Sequence, residues 1–121
     1  MIRKLVKFST ISIIIVSLYG CAIVRYKHEA KINRVSMLNL KIGMSKTQVF
    51  SLMGNPYKSE SYQVEGKNLE FWLYRTEISV EENKSDNFTP LAFENDILIG
   101  WGRNYYDNAF RIKQDIKIEE R

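Results

Sequence analysis

The chain has little of what most small catalytic or metal-binding proteins use. Among its 121 residues there is one cysteine, Cys21, and one histidine, His28. A single thiol excludes an internal disulfide. One Cys and one His do not supply the repeated ligands that a zinc site needs. The acids of "EENKSDN" lack the alternating spacing around a glycine that marks a calcium loop. No metal or dissociable cofactor is therefore expected. A Cys–His nucleophile pair needs a folded cleft, and both residues precede the expected domain. "GWG", Gly100–Gly102, is too short to cradle a phosphate, and its glycines fit close packing instead. Glu60 and Glu70 could face each other across a hairpin as an acid–base pair. Acids on the solvent side of a sheet are far commoner, so no enzyme is expected.

A basic surplus is also missing once the start of the chain is set apart. The whole chain carries 18 Lys plus Arg against 14 Asp plus Glu. Arg3, Lys4 and Lys7 lie in the first twenty residues, which hold no acid, so 15 basic residues face 14 acidic ones beyond them. Nothing here resembles the concentrated basic face of a nucleic-acid-binding protein.

What is present begins with those twenty residues. The basic start is followed by the apolar run "FSTISIIIVSLY", Phe8–Tyr19, and then by Gly20 and Cys21. That order is the pattern of a secretory signal. Leu18-Tyr19-Gly20-Cys21 resembles the lipobox of bacterial lipoproteins. The resemblance implies cleavage after Gly20, a diacylglycerol group on the Cys21 thiol and an N-acyl group on the new terminus. Each buried acyl CH₂ contributes about 0.8 kcal/mol, so two or more long chains hold a protein stably on a bilayer. The alternative is an uncleaved anchor in the inner membrane, Phe8–Val24, near the lower limit of about 17 residues for a span.

Residues 21–29 show no clear period and are expected to form a lipidated tether. Ile32, Val35 and Leu38 recur at helical spacing in "AKINRVSMLNL" and predict a short amphipathic helix. Gly43 breaks it. In "GMSKTQVFSLMGNP" Ser45 suits an N-cap and Gln48 completes a capping box. Met44 and Val49 fit a hydrophobic staple, and Val49, Leu52 and Met53 share one face. Gly54 and Pro56 end the helix, which is expected near residues 45–53. The period then changes to two. "SESYQV" and "LEFWLYR" predict a hairpin turning at 65–68. "LAFE" and "ILIGWG" predict a second one, turning at Asn95-Asp96. Residues 77–90 form a long polar loop. The tail 106–121 is charged, with Phe110, Ile112 and Ile116 as a possible helical stripe or a frayed end.

The expected fold is α+β: two short N-terminal helices packed on one face of a three- to four-stranded antiparallel sheet. The domain runs over 30–105, between the tether and the tail. Trp72 and Tyr74 alternate away from Leu69, Phe71 and Leu73. With helices on the other face, they and Tyr62 would form an exposed aromatic patch for a protein partner; otherwise the tail covers them or they cover one another.

Residues 38–56, "LNLKIGMSKTQVFSLMGNP", resemble the signature of the SmpA/OmlA (BamE-like) family of small outer-membrane lipoproteins. Gly43, Met44, Ser45, Val49, Leu52, Gly54 and Pro56 match its positions. Phe71-Trp72-Leu73-Tyr74 and "LAFENDILIGWG" are similar to its strand motifs. The long 77–90 loop and the tail depart from it. The resemblance implies two helices followed by an antiparallel sheet, and an accessory or scaffold role in assembling outer-membrane β-barrel proteins. It also implies a lipid-anchored address at the periplasmic face of the outer membrane, since Ala22 is not the aspartate that retains enteric lipoproteins in the inner membrane. A different binding class, a lipid-anchored inhibitor of a hydrolase using the 77–90 loop, is the alternative.

Overall fold

In a computed structural model the backbone is described for residues 2–81, 84–109 and 111, and side chains within the first helix at 13–15, 17 and from 20 onward. The fold is α+β. A long helix α1 (Ile2–Met37) leads to α2 (Lys46–Met53), then to β1 (Lys58–Val64), β2 (Lys67–Arg75), β3 (Phe88–Glu94) and β4 (Ile97–Trp101). Residues 103–109 form a further helix, α3. The strands make one antiparallel sheet in sequence order. Among the described residues, no helix is long and apolar enough to cross a membrane. Most side chains of the run Phe8–Tyr19 lie outside those residues.

The helix α2 forms where its end signals place it. The Ser45 hydroxyl accepts from the Gln48 N–H at 3.2 Å, and the Gln48 side chain accepts from the Ser45 N–H at 3.0 Å. Such a cap contributes about 1 kcal/mol. Gly54 ends the helix at φ 72°, and its N–H donates to the Phe50 carbonyl. Val49 and Met53 are buried, with Met44 and Leu52 packed against the same cluster. The segment before the cap has a second task. Gly43 N–H donates to the Leu98 carbonyl and Leu98 N–H donates to the Met44 carbonyl, both at 2.8 Å. The motif thus also covers the free edge of β4, where an unpaired ladder would otherwise face solvent.

Both hairpins turn through left-handed pairs that match the twist of the flanking strands: Glu65-Gly66, and Asn95-Asp96 at φ 47° and 68°. Pro90 is tolerated inside β3 because its carbonyl, and so the side that lacks an N–H, faces beyond the last pair of β4, Leu91 with Trp101.

Two apolar clusters flank the sheet. Leu40, Val49, Met53, Tyr74, Leu91, Phe93 and Leu98 fill the side under α2. Phe71, Ala92 and Ala109 are buried on the other side, with Tyr62, Ile99 and Tyr106 around them. The Tyr105 ring lies over Gly100, where a Cβ would stand 2.2 Å from it. The domain therefore reaches at least to Ala109 and does not stop at 105. The expected stripe Phe110, Ile112 and Ile116 lies outside the described residues.

The first helix differs most from expectation. Residues 22–29, expected as a tether, are helical and continuous with 30–37. The face turned to the fold carries Ala30, Asn33 and Met37. Ile32, Val35 and Leu38, the expected core stripe, are 50%, 55% and 84% exposed. The reason is a polar dock. Asn33 Nδ2 donates to the Arg75 carbonyl at 2.8 Å, and the Arg34 guanidinium donates to the Thr76 carbonyl. These bonds satisfy the carbonyls of Arg75, the last residue of β2, and of Thr76 after it, and Ala30 lets the helix approach closely.

Candidate functional site

Among the described residues, two polar clusters on the faces of the sheet hold Glu60, Glu70 and Trp72, and a third lies at the end of β2. The first is on the α3 side of the sheet. Glu60 accepts from the Tyr106 hydroxyl at 2.6 Å and the Tyr62 hydroxyl at 2.9 Å, and pairs with Lys58 at 2.8 Å. Burial pushes the Glu60 carboxyl up, but the bonds from Lys58, Tyr106 and Tyr62 outweigh it and hold the group below its ordinary value. Burial and then Glu60 push the Tyr106 hydroxyl up. A carboxyl depressed on folding stabilises above its unfolded pKa, and that part is lost as pH falls through the folded value. Glu60→Gln is accordingly expected to reduce the fall in melting temperature below about pH 4.5. A Glu60→Gln profile parallel to the parent through this window would contradict the assignment.

The second cluster is on the α2 side. Lys46 pairs with Glu70 and, at 3.1 Å, with Asp96. Trp72 Nε1–H donates to Glu70 at 2.7 Å, and the ammonium lies 5.8 Å from the Trp72 ring centroid. The Glu70 bond is the main cause that raises the Lys46 pKa. Glu60 is paired with Phe71 and Glu70 with Ser61, so the two carboxylates point to opposite faces. The acid–base pair considered from sequence does not form.

The exposed aromatic patch is also corrected. Tyr74 is 1% exposed in the α2-side core, and its hydroxyl donates to the Gly54 carbonyl at 2.8 Å. Trp72 is half-buried against Phe93, and Tyr62 lies on the other face beside Phe71. Both faces are covered, one by α2 and one by α3, so alternation alone could not say which aromatics remain free. Gly43, Met44, Ser45, Gln48, Val49, Leu52, Gly54 and Pro56 bound or anchor α2. His28 and Cys21 are exposed on α1.

The third cluster was not visible in the sequence. The Arg75 side chain is 4% exposed at the end of β2, with Nε 3.8 Å from Glu29 of α1. Its guanidinium lies 4.5 Å from the Tyr26 ring centroid, 4.7 Å from Phe88 and 5.8 Å from Tyr57. Desolvated cation–ring contacts of this kind contribute about 2 kcal/mol. Tyr26 and Glu29 are one helical turn apart, so the cage fastens α1 to the sheet. Residues 76–81 and 84–87 of the following loop lie beside it. Asn87 is buried at its neck, with its carbonyl accepting from Thr76 and Glu77 and its side chain donating to the Glu81 carbonyl. Between this loop and α1 lies a cavity of about 490 Å³, with walls from Ala22, Ile23, Tyr26, Arg75, Ile78, Ser79 and Val80. Among the described residues no group of His, Cys, Asp and Glu is placed to hold a metal ion.

The family described as "Protein of unknown function (DUF3192)" matches residues 12–108. The chain belongs to the DUF3192 family. In this DUF3192 protein the match covers α2, the whole sheet, the Arg75 cage and the loop. No curated protein matches. A crystal structure of a "putative beta-lactamase inhibitor protein" from Streptococcus mutans is similar over 60% of this chain, at 26% identity and a TM-score of 0.45. The likeness covers 44% of that protein, less than half its length.

Proposed function

We propose that the protein is a lipid-anchored accessory or scaffold of the bacterial envelope, held at the periplasmic face of the outer membrane and acting through protein contacts rather than catalysis. The observation that carries this reading is the junction at Cys21. The thiol is exposed, and the helix that follows it is fastened to the sheet by Tyr26, Ala30, Asn33 and Met37. A lipid there would hold the folded domain directly at the bilayer. The signal-like start, the lipobox and the SmpA/OmlA-like motif at 38–56 support the same reading, and within it β-barrel assembly is the favoured process.

With Tyr74 in the core, the contact surface moves to the outer side of α1 and the turn after it. Ile32, Val35, Leu38 and Ile42 are half or more exposed there, and an apolar group of this kind suits a protein partner. Two measurements test the proposal. A radiolabelled fatty acid should enter the parent chain and be absent from Cys21→Ser, which should leave the membrane fraction. Crosslinking in native envelopes should capture envelope proteins, with recovery falling about tenfold or more in Val35→Lys/Leu38→Lys at unchanged melting temperature. Persistent label in Cys21→Ser contradicts the anchor. Capture of one soluble hydrolase through the 76–87 loop would replace the scaffold with the inhibitor.

A further inference from the structure

The cavity beside the anchor has a wall made by the residues that follow Cys21. Ala22 and Ile23 line it, and Tyr26 stands one turn further along α1. The opposite wall is Ile78 and Val80 of the loop. Val80 is fully exposed and Ile23 is 52% exposed. An apolar hollow bordered by exposed valine and isoleucine is costly to leave against water. Among the described residues its cationic wall residue, Arg75, is stacked on aromatic rings and faces Glu29. The site therefore suits a neutral apolar chain rather than an anionic headgroup. About 490 Å³ is the scale of a small-ligand pocket.

We infer that this cavity seats one acyl chain of the lipid carried by Cys21. The inference rests on the anchor reading above. A chain attached to the residue next to Ala22 has only to fold back along α1, and tethering gives it an effective concentration near the millimolar scale. A free lipid would have to compete with that. Seating one chain would also fix Ile78 and Val80 against the membrane-proximal end of α1. The bonds of Asn87 to Thr76, Glu77 and Glu81 hold the neck of the loop together.

The test uses the full-length lipidated protein. Cells are fed a fatty acid carrying a diazirine in its chain and irradiated, and the purified protein is mapped by mass spectrometry. The expected product joins the Cys21 lipid to the 77–81 loop of the same chain. Val80→Asp should reduce that product about tenfold, since a carboxylate beside an apolar seat disfavours the chain. It should leave the melting temperature unchanged, because Val80 makes no part of the core. Label on Cys21 with crosslinks confined to phospholipid or to other protein surfaces overturns the seat and leaves the anchor standing. A loop adduct carrying a free phospholipid chain instead of the Cys21 lipid overturns the assignment of the occupant. Absence of label from Cys21 overturns the anchor and the seat together.

Discussion

Tyr74→Ala is expected to lower stability by about 3–5 kcal/mol, the range for truncating a fully buried aromatic. The ring is 1% exposed among Val49, Met53, Leu91 and Phe93, and its hydroxyl holds the Gly54 carbonyl at the end of α2. Truncation would open a cavity and leave that carbonyl without its partner. Since a domain of this size has about 5–15 kcal/mol in total, the variant should melt many degrees lower. Tyr74→Phe keeps the ring and removes only the bond, for about 1 kcal/mol. Denaturant titration separates this from the surface role suggested by alternation, in which Tyr74→Ala would change stability by no more than about 0.5 kcal/mol.

Arg75→Ala is expected to cost about 2–4 kcal/mol, with the loss concentrated at α1. The substitution removes the stacking on Tyr26 and Phe88 and leaves Glu29 without its cation. Glu29 is partly exposed, so the cost falls below that of a fully buried pair. Arg75→Met should retain part of the packing and recover roughly half the loss. Hydrogen exchange reads the effect locally: residues 22–30 should lose protection in Arg75→Ala while β2 and β3 keep theirs. Equal loss throughout the sheet would show that Arg75 serves the core and does not fasten α1.

The parts legible in the sequence were those with local causes. Ser45, Gln48 and Gly54 mark the ends of α2 because cap bonds span only three or four residues. Asn95-Asp96 marks a turn because both residues tolerate positive φ, and strict alternation gave β2 its two faces. What was hidden depends on distant partners. The stripe Ile32–Val35–Leu38 has helical spacing, yet Asn33 wins the buried position through a carbonyl 42 residues away. Burial of Tyr74 follows from α2 covering its side of the sheet while α3 covers the other, a fact the alternation of β2 does not carry. The rings around Arg75 come from α1, from the residue before β1 and from the start of β3. Only the position of Tyr57 and Phe88 next to strand ends could have hinted at the cage. Glu60 and Glu70 differ by an even number of positions, but in an antiparallel pair the register, not that spacing, sets which side chains meet.

The helix α1 runs from Cys21 to the sheet without a flexible linker. Hydrogen exchange tests this most directly, read at the amides of residues 24–33. Protection in this segment is expected to approach that of β2 and to be lost in Arg75→Ala. Complete exchange of 24–33 at the earliest time point, with the sheet still protected, would make the segment a tether and contradict a helix fastened to the sheet.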